Sequence, residues 1–263
     1  MADPLSQKLA KRAGAAEPST APATFGSLCA AGLAGSGRGR GRGGGGWPAG
    51  LRPAGIVFDC DGLLVDTEPC WTVGETAVFA ARGLPYGPEE KARFIGLSVP
   101  ATSALMAEIF GEVGSEDAIT EHVLGMVADV IAAQAEPMPG AVELVRTLAG
   151  KVPIAVASNS PRRLLDLSLA RAGLTGIPDA VVAADEVTHG KPAPDLYLTA
   201  CAALGVDPAD SVAFEDTVTG VTSARAAGMA VVGVPSLNPD GFPADLVLET
   251  LADPDLLAWA RAL

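Results

Sequence analysis

The chain has 263 residues, of which 49% are hydrophobic and only 5% aromatic, and its formal net charge at pH 7 is −13. This length fits one large domain or two small ones, and an apolar fraction carried by small aliphatic residues favours helices packed on a parallel sheet over a β-sandwich. Residues 1–52 are net basic, so the remainder is more acidic than the whole chain, which argues against a nucleic-acid-binding surface.

The four cysteines, Cys29, Cys60, Cys70 and Cys201, form no CxxC pair and have no histidine at the spacing of a zinc site. Neither a disulfide scaffold nor a zinc centre is therefore predicted, and reduced thiols are typical of a cytoplasmic protein. No apolar run reaches the roughly 20 residues that a membrane span requires. We expect a cytoplasmic protein without a membrane or nucleic-acid partner; the oligomeric state stays open, and a monomer fits the sequence.

Residues 1–52 are rich in Ala, Gly, Ser and Pro, and residues 37–46 alternate Gly with Arg before a run of Gly. Such a segment buries too little apolar surface to offset the entropy lost on ordering, so a disordered tail is predicted. One interpretation of the arginines is an RNA-binding arm. The other is a tail without function, or a start codon placed too early.

From Ala54 onward, short apolar runs alternate with helical segments that begin near proline and end at glycine. The runs cover residues 55–58, 153–157, 180–183, 211–214 and 229–234. Buried strands that alternate with amphipathic helices are typical of an α/β protein with a doubly wound, Rossmann-like parallel sheet. We predict this fold for residues 53–68 and 140–263.

The connection between the first two apolar runs is far longer than a crossover helix requires. Its composition is helical over residues 70–82, 100–110 and 115–135. We therefore predict an inserted helical cap over residues 69–139, hinged near residues 67–69 and 136–140.

Four polar clusters follow the predicted strands, at the edge of an open α/β sheet where ligands bind. The clusters are Asp59-Cys-Asp61, Ser158-Asn159-Ser160, Gly190-Lys191 and Glu215-Asp216. Each alone has an ordinary structural explanation as a turn, a helix start or a solvated loop. The occurrence of all four in order, each at a strand end, indicates a functional site.

Four carboxylates in one crevice, those of Asp59, Asp61, Glu215 and Asp216, raise each other's pKa unless a cation lies between them. A hard divalent ion such as Mg²⁺ prefers such oxygen ligands. Lys191 and the Ser158 hydroxyl would then complement phosphate oxygens. The set suggests phosphoryl transfer through an aspartyl-phosphate.

These residues resemble the four motifs of the haloacid dehalogenase superfamily of phosphohydrolases. They stand here as Asp59-Cys-Asp-Gly-Leu-Leu-Val-Asp, Ser158, Lys191-Pro and Glu215-Asp216. The phrases Lys-Pro-Ala-Pro-Asp-Leu-Tyr and Phe-Glu-Asp-Thr-Val-Thr-Gly resemble the branch that contains β-phosphoglucomutase and sugar-phosphate phosphatases. The resemblance covers about residues 54–240.

The resemblance implies a role for each acidic residue. Asp59 would be the nucleophile and Asp61 the general acid and base. Mg²⁺ would be held by Asp59, the Asp61 carbonyl, Glu215 and Asp216. Dehalogenases and phosphonate-cleaving members lack the carboxylate that Asp61 supplies, so neither activity is expected here.

The resemblance also implies how substrate is bound. Ser158, Asn159 and Lys191 would bind the transferring phosphoryl group, and residues 69–139 would form the small mobile cap that excludes water. The expected function is a Mg²⁺-dependent phosphatase for a small phosphorylated metabolite, a sugar or polyol phosphate.

Three alternatives remain open. One is a β-phosphoglucomutase-like mutase, although Val99 stands where those enzymes carry an arginine for the second phosphate of the substrate. Another is a non-catalytic binding protein on the same fold, although no core motif residue is missing. A signalling receiver domain fits worse, because its phosphorylated aspartate lies on a middle strand and no large insertion follows its first strand.

Overall fold

A computed structural model of the chain describes residues 47–48, 50–94, 97–236 and 241–263. Most of the predicted tail, residues 1–46, lies outside the described residues, as do Ile95 and Gly96 of the predicted cap. Within the described part, no helix is long and apolar enough to cross a membrane.

The core is built on a parallel sheet. Its strands and two short accessory strands are β1 (Gly55–Phe58), β2 (Val65–Asp66), β3 (Glu136–Pro137), β4 (Ile154–Ala157), β5 (Ala180–Val182), β6 (Ser211–Glu215), β7 (Ala230–Gly233) and β8 (Leu246–Val247). The six-stranded sheet has the order β5-β4-β1-β6-β7-β8, with parallel pairing throughout. The four central strands are buried along their whole length, which is why each stands out in the sequence as an apolar run.

Helices cover both faces of this sheet. In the described residues the α-helices are α1 (Glu68–Ala80), α2 (Pro88–Phe94), α3 (Val99–Phe110), α4 (Glu116–Gln134), α5 (Ala141–Leu148), α6 (Arg162–Arg171), α7 (Asp195–Leu204), α8 (Val218–Ala226) and α9 (Pro254–Ala262). The buried residues of α5, α6 and α9 pack on one face, and those of α7 and α8 pack on the other. The predicted doubly wound α/β fold is confirmed.

Helices α1 to α4 form the insertion that the sequence predicted between the first two core strands. The short strands β2 and β3 pair antiparallel, so the two connections to the insertion run side by side. Helix α4 packs on α1 and α3 and also on the core helix α6, where Arg171 Nε donates to the Ala135 carbonyl at 3.1 Å. Whether residues 69–139 move as one cap, separate from residues 53–68 and 140–263, stays a prediction.

The end of the predicted tail is a correction. Residues 1–52 were predicted to be disordered, but Trp47 and Leu51 are buried. The Trp47 ring stacks on Phe214 with 6.0 Å between centroids and lies 4.7 Å from the Trp259 ring. Trp259 Nε1 donates to the Leu51 carbonyl at 2.9 Å. The prediction failed because the Gly/Arg composition was averaged over two apolar residues that fill a gap beside the sheet.

Trp47→Ala is therefore expected to destabilise the protein. Loss of a buried indole and the cavity it leaves cost about 3 kcal/mol in the free energy of unfolding, measured by urea denaturation. Trp47→Phe, which keeps an aromatic ring in the gap, is the matched control and should cost less than half as much. A Trp47→Ala protein as stable as the wild type would show that this aromatic contact contributes nothing.

Candidate active site

The predicted polar clusters meet at one edge of the sheet. Asp59 follows β1, Ser158 follows β4, and Glu215 ends β6 with Asp216 directly after it. These three strands are neighbours, in the order β4-β1-β6. Because parallel strands place their carboxyl ends on the same edge, the side chains are brought together, as the sequence predicted.

Asp59 lies at the centre and is almost completely buried. Its main-chain N–H donates to the Phe214 carbonyl at 3.0 Å, which fixes the end of β1 against β6. The ammonium of Lys191 donates to Asp59 Oδ1 at 2.5 Å and to Glu215 Oε1 at 2.6 Å. Lys191 is itself buried, so this contact joins three charged groups away from solvent.

Asp61 is held by two hydroxyl groups. Thr67 Oγ1 donates to Asp61 Oδ1 at 2.8 Å, and Ser158 Oγ donates to Asp61 Oδ2 at 2.8 Å. Gly62 follows with φ of +80°, and a Cβ at this position would collide with the Asp216 carboxylate. The turn after β1 therefore needs glycine both for its backbone angle and for the close approach of Asp216.

A cluster of three carboxylates fits a metal ion. Asp59, Glu215 and Asp216 each offer an oxygen, and these atoms all lie within 4.8 Å of one another. Ser236 Oγ donates to Asp216 Oδ2 at 2.9 Å, whereas the buried Asp216 Oδ1 has no hydrogen-bond partner. An orphaned buried acceptor is costly unless a cation or water meets it. The side chain of Asp61 is outside this cluster, and the resemblance assigned the metal only its main-chain carbonyl.

The electrostatics of the cluster agree with this interpretation. Burial raises the pKa of Asp59 well above its ordinary value; Lys191 opposes the increase, whereas Glu215 and Asp216 add to it. Burial, followed by the charge of Glu215, raises the pKa of Asp216 to about 7. For Lys191, burial lowers the pKa, but Asp59 and Glu215 outweigh it, so the pKa lies above its ordinary value. The lysine stays charged, and one ammonium does not neutralise three carboxylates.

Asn159 contacts the loop that carries Lys191. The Lys191 main-chain N–H donates to Asn159 Oδ1 at 2.7 Å, and Asn159 Nδ2 donates back to the Lys191 carbonyl at 3.2 Å. Gly190 permits this approach, because a Cβ there would press on the Asn159 amide. Asn159 thus fixes the Lys191 backbone, and its predicted contact with phosphate stays a prediction.

Sequence reasoning missed several residues that complete the site. They are Thr67, which holds Asp61; Tyr197, whose hydroxyl donates to Glu215 Oε1 at 2.5 Å; Ser236, which holds Asp216; and Gly220, against which the Glu215 carboxylate packs. Ser236 could have been predicted in the same way as the other clusters, because it follows β7 at the same edge of the sheet. Tyr197 ends one of the phrases that carry the resemblance, but its contact with Glu215 could not be predicted, because the two residues are distant in sequence.

The family model for "haloacid dehalogenase-like hydrolase" matches residues 53–228. The chain is 35% identical to "Fructose-1-phosphate phosphatase YqaB" of Escherichia coli strain K12, over 70% of this chain and 97% of the relative. It is 31% identical to "Hexitol phosphatase B" of the same strain, over 75% of this chain and 92% of that protein.

A solved structure of a hydrolase from the same family also matches this chain. The crystal structure of a HAD family hydrolase from Deinococcus radiodurans R1, with bound phosphate and sodium, superposes with a TM-score of 0.60 and 32% identity. The superposition covers 80% of this chain and 97% of that one. The match therefore includes both the core and the insertion. With the motif residues gathered at one edge of the sheet, this chain belongs to the haloacid dehalogenase-like hydrolase family.

Proposed function

We propose that the chain is a Mg²⁺-dependent phosphatase that hydrolyses a small phosphorylated metabolite, a sugar or polyol phosphate, with Asp59 as the nucleophile. The observation that carries this proposal is the buried Asp59 carboxylate, held by Lys191 inside a carboxylate cluster, with Asp61 two residues away. The named activities of the relatives, on fructose 1-phosphate and hexitol phosphates, support the same class of substrate.

The residues present fit a Mg²⁺ ion. The three clustered carboxylates of Asp59, Glu215 and Asp216, with the Asp61 main-chain carbonyl, would hold it, and the orphaned Asp216 Oδ1 would gain a partner. When bound, the ion would supply positive charge that offsets the carboxylates and attracts the phosphoryl oxygens.

In the first half of the proposed reaction, an Asp59 carboxylate oxygen attacks phosphorus, and the bond from phosphorus to the substrate oxygen breaks. Lys191 and Ser158 would bind the phosphoryl oxygens during this transfer. Asp61, protonated at this stage, gives its proton to the departing oxygen, so that an alcohol leaves and Asp59 carries the phosphoryl group.

In the second half, Asp61 acts as a base. As a carboxylate it removes a proton from water, the water oxygen attacks the phosphorus of the aspartyl-phosphate, and inorganic phosphate leaves with Asp59 restored. The hydrogen bond from Thr67 orients Asp61 for these two proton transfers. The Ser158 hydroxyl has one proton, so it would leave Asp61 when it donates to a phosphoryl oxygen. A single carboxyl group placed two residues after the nucleophile serves both steps.

We assign the cap role to residues 69–139, whose closure over the carboxylates would exclude bulk water and contact the part of the substrate that is not phosphate. Its lysine and arginine side chains are Arg82, Lys91 and Arg93. Arg82 pairs with Glu112, and Lys91 pairs with Glu68. A paired cation is less available to anchor a second phosphate, so this chemistry favours monophosphates of neutral sugars or polyols. Arg93 is the possible substitute for the anchor that Val99 does not supply.

The test of the proposed function compares two assays on the wild type. Sugar and polyol monophosphates should release inorganic phosphate. β-Glucose 1-phosphate should not be converted appreciably to glucose 6-phosphate, even with a bisphosphate activator, because Val99 supplies no cationic anchor. Conversion faster than phosphate release would replace the phosphatase by a mutase, and the absence of both reactions would favour a binding protein.

A further inference from the structure

Tyr197 lies beneath the charged groups of the site and has no role in the reaction proposed above. It occupies the first turn of α7 and is completely buried. Its hydroxyl donates to Glu215 Oε1 at 2.5 Å, and its ring centroid lies 5.0 Å from the Lys191 ammonium nitrogen. The tyrosine therefore contacts both a carboxylate of the cluster and the only lysine that touches it among the described residues.

The Glu215 carboxylate is constrained on every side. Its Oε2 accepts from the main-chain N–H groups of Asp216 at 3.2 Å and Thr217 at 3.4 Å. Gly220 packs directly against it, with no room for a Cβ. Among the described residues, the donors to its Oε1 are Lys191 and Tyr197. The hydrogen bonding of Oε1 is thus shared between a charged donor, the Lys191 ammonium, and a neutral donor, the Tyr197 hydroxyl.

Lys191 is divided between two carboxylates at nearly equal distances, 2.5 Å to Asp59 and 2.6 Å to Glu215. If Tyr197 lost its hydroxyl, Lys191 would be the only donor left on Glu215 Oε1. A buried carboxylate with an unmet acceptor is costly, so the ammonium would shift towards Glu215 and away from Asp59. A phosphoryl group bound beside Asp59 would then lose part of its positive partner.

We propose that Tyr197 is a positioning residue, which fixes the Glu215 carboxylate for metal binding and leaves the Lys191 ammonium available to Asp59 and the phosphoryl group. This inference rests on the proposed function, and it gives a role to the tyrosine that ends the phrase Lys-Pro-Ala-Pro-Asp-Leu-Tyr. The competing explanation is a tyrosine that merely fills the core and satisfies its hydroxyl.

The chain contains its own matched control. It has two tyrosines, and the other one, Tyr86, also donates its hydroxyl to a buried glutamate, Glu75 of α1 in the insertion. Tyr86→Phe and Tyr197→Phe remove the same atom from the same kind of hydrogen bond. Only Tyr197 has a partner in the carboxylate cluster.

The experiment measures Mg²⁺ affinity by calorimetry on the full chain without substrate, inhibition by inorganic phosphate, and kcat and KM for p-nitrophenyl phosphate. Tyr197→Phe should weaken Mg²⁺ binding and phosphate inhibition about 10-fold each, a size typical of losing a residue that orients a metal ligand. Tyr86→Phe should leave both constants within about twofold, while its melting temperature falls about as much as that of Tyr197→Phe. Equal Mg²⁺ and phosphate constants in the two variants would overturn the proposal.

A second measurement does not depend on the fold of Tyr197→Phe. In the Tyr86→Phe protein labelled with 3-fluorotyrosine, Tyr197 gives the only ¹⁹F resonance. This resonance should shift in a saturable way when Mg²⁺ is added and return with EDTA. A resonance that stays in place while calorimetry records Mg²⁺ binding would overturn the proposal. A wild type that binds no Mg²⁺ and releases no phosphate would instead contradict the proposed function itself.

Discussion

Asp59→Asn is expected to lower kcat/KM for phosphate release about 1,000-fold or more, the scale for removing a nucleophile. The amide cannot attack phosphorus, and it takes away one oxygen ligand from the carboxylate cluster. The fold should persist, because Lys191 keeps its contact with Glu215 at 2.6 Å and the strand end is held by main-chain hydrogen bonds. The measurement is steady-state release of inorganic phosphate beside a thermal melt.

Asp61→Asn gives an informative comparison. It removes the proton donor, so it should lower kcat/KM for a polyol phosphate more than for p-nitrophenyl phosphate, whose leaving group departs without protonation. Asp59→Asn should lower kcat/KM for both substrates by the same factor. Asp117→Asn, at the start of α4, makes the same chemical change away from the cluster and should behave as wild type. Residual Asp59→Asn activity above about 1% of wild type would remove Asp59 from the role of nucleophile.

The fold was predictable where a strand is buried on both faces of the sheet, because such a strand appears in the sequence as an unbroken apolar run. The runs at 55–58 and 153–157 became β1 and β4, and polar residues just after them marked the active edge of the sheet. The two-residue strands β2, β3 and β8 left no such pattern, because their pairing depends on where the chain returns. The packing partners of Trp47 could not be named for a related reason: Phe214 and Trp259 are distant from it in sequence.

The residues of the site also fall into those that the sequence could identify and those that it could not. Residues that act through a local motif, such as Asp59 and Lys191, could be named from the sequence, and the structure brings them into contact. Residues that act by touching those side chains could not. Tyr197 and Thr67 have ordinary positions in a helix and a hinge, and only the packed structure shows that their hydroxyls meet Glu215 and Asp61.

Removal of the metal should abolish turnover. In excess EDTA, phosphate release is expected to fall to background and to return when Mg²⁺ is added in excess over the chelator. The reason is the cluster of Asp59, Glu215 and Asp216, whose oxygens lie within 4.8 Å of one another and whose negative charge Lys191 only partly offsets. Binding to the folded state should also increase the free energy of unfolding by about 2.7 kcal/mol at a Mg²⁺ concentration 100 times its Kd, which is observed as a higher melting temperature.

Asp216→Ala tests the same site without a chelator. It removes the carboxylate whose Oδ1 has no partner, so Mg²⁺ affinity should fall about 100-fold. At the Mg²⁺ concentration that stabilises the wild type by about 2.7 kcal/mol, the variant should gain only about 0.4 kcal/mol. Ser236→Ala is the graded control, because it removes only the hydrogen bond to Asp216 Oδ2 and should weaken Mg²⁺ less than Asp216→Ala does. The metal-free Asp216→Ala protein should be no less stable than metal-free wild type, since one of three crowded carboxylates is gone. Full activity in excess EDTA, or an Asp216→Ala protein with wild-type Mg²⁺ affinity, would rule out a metal at this cluster.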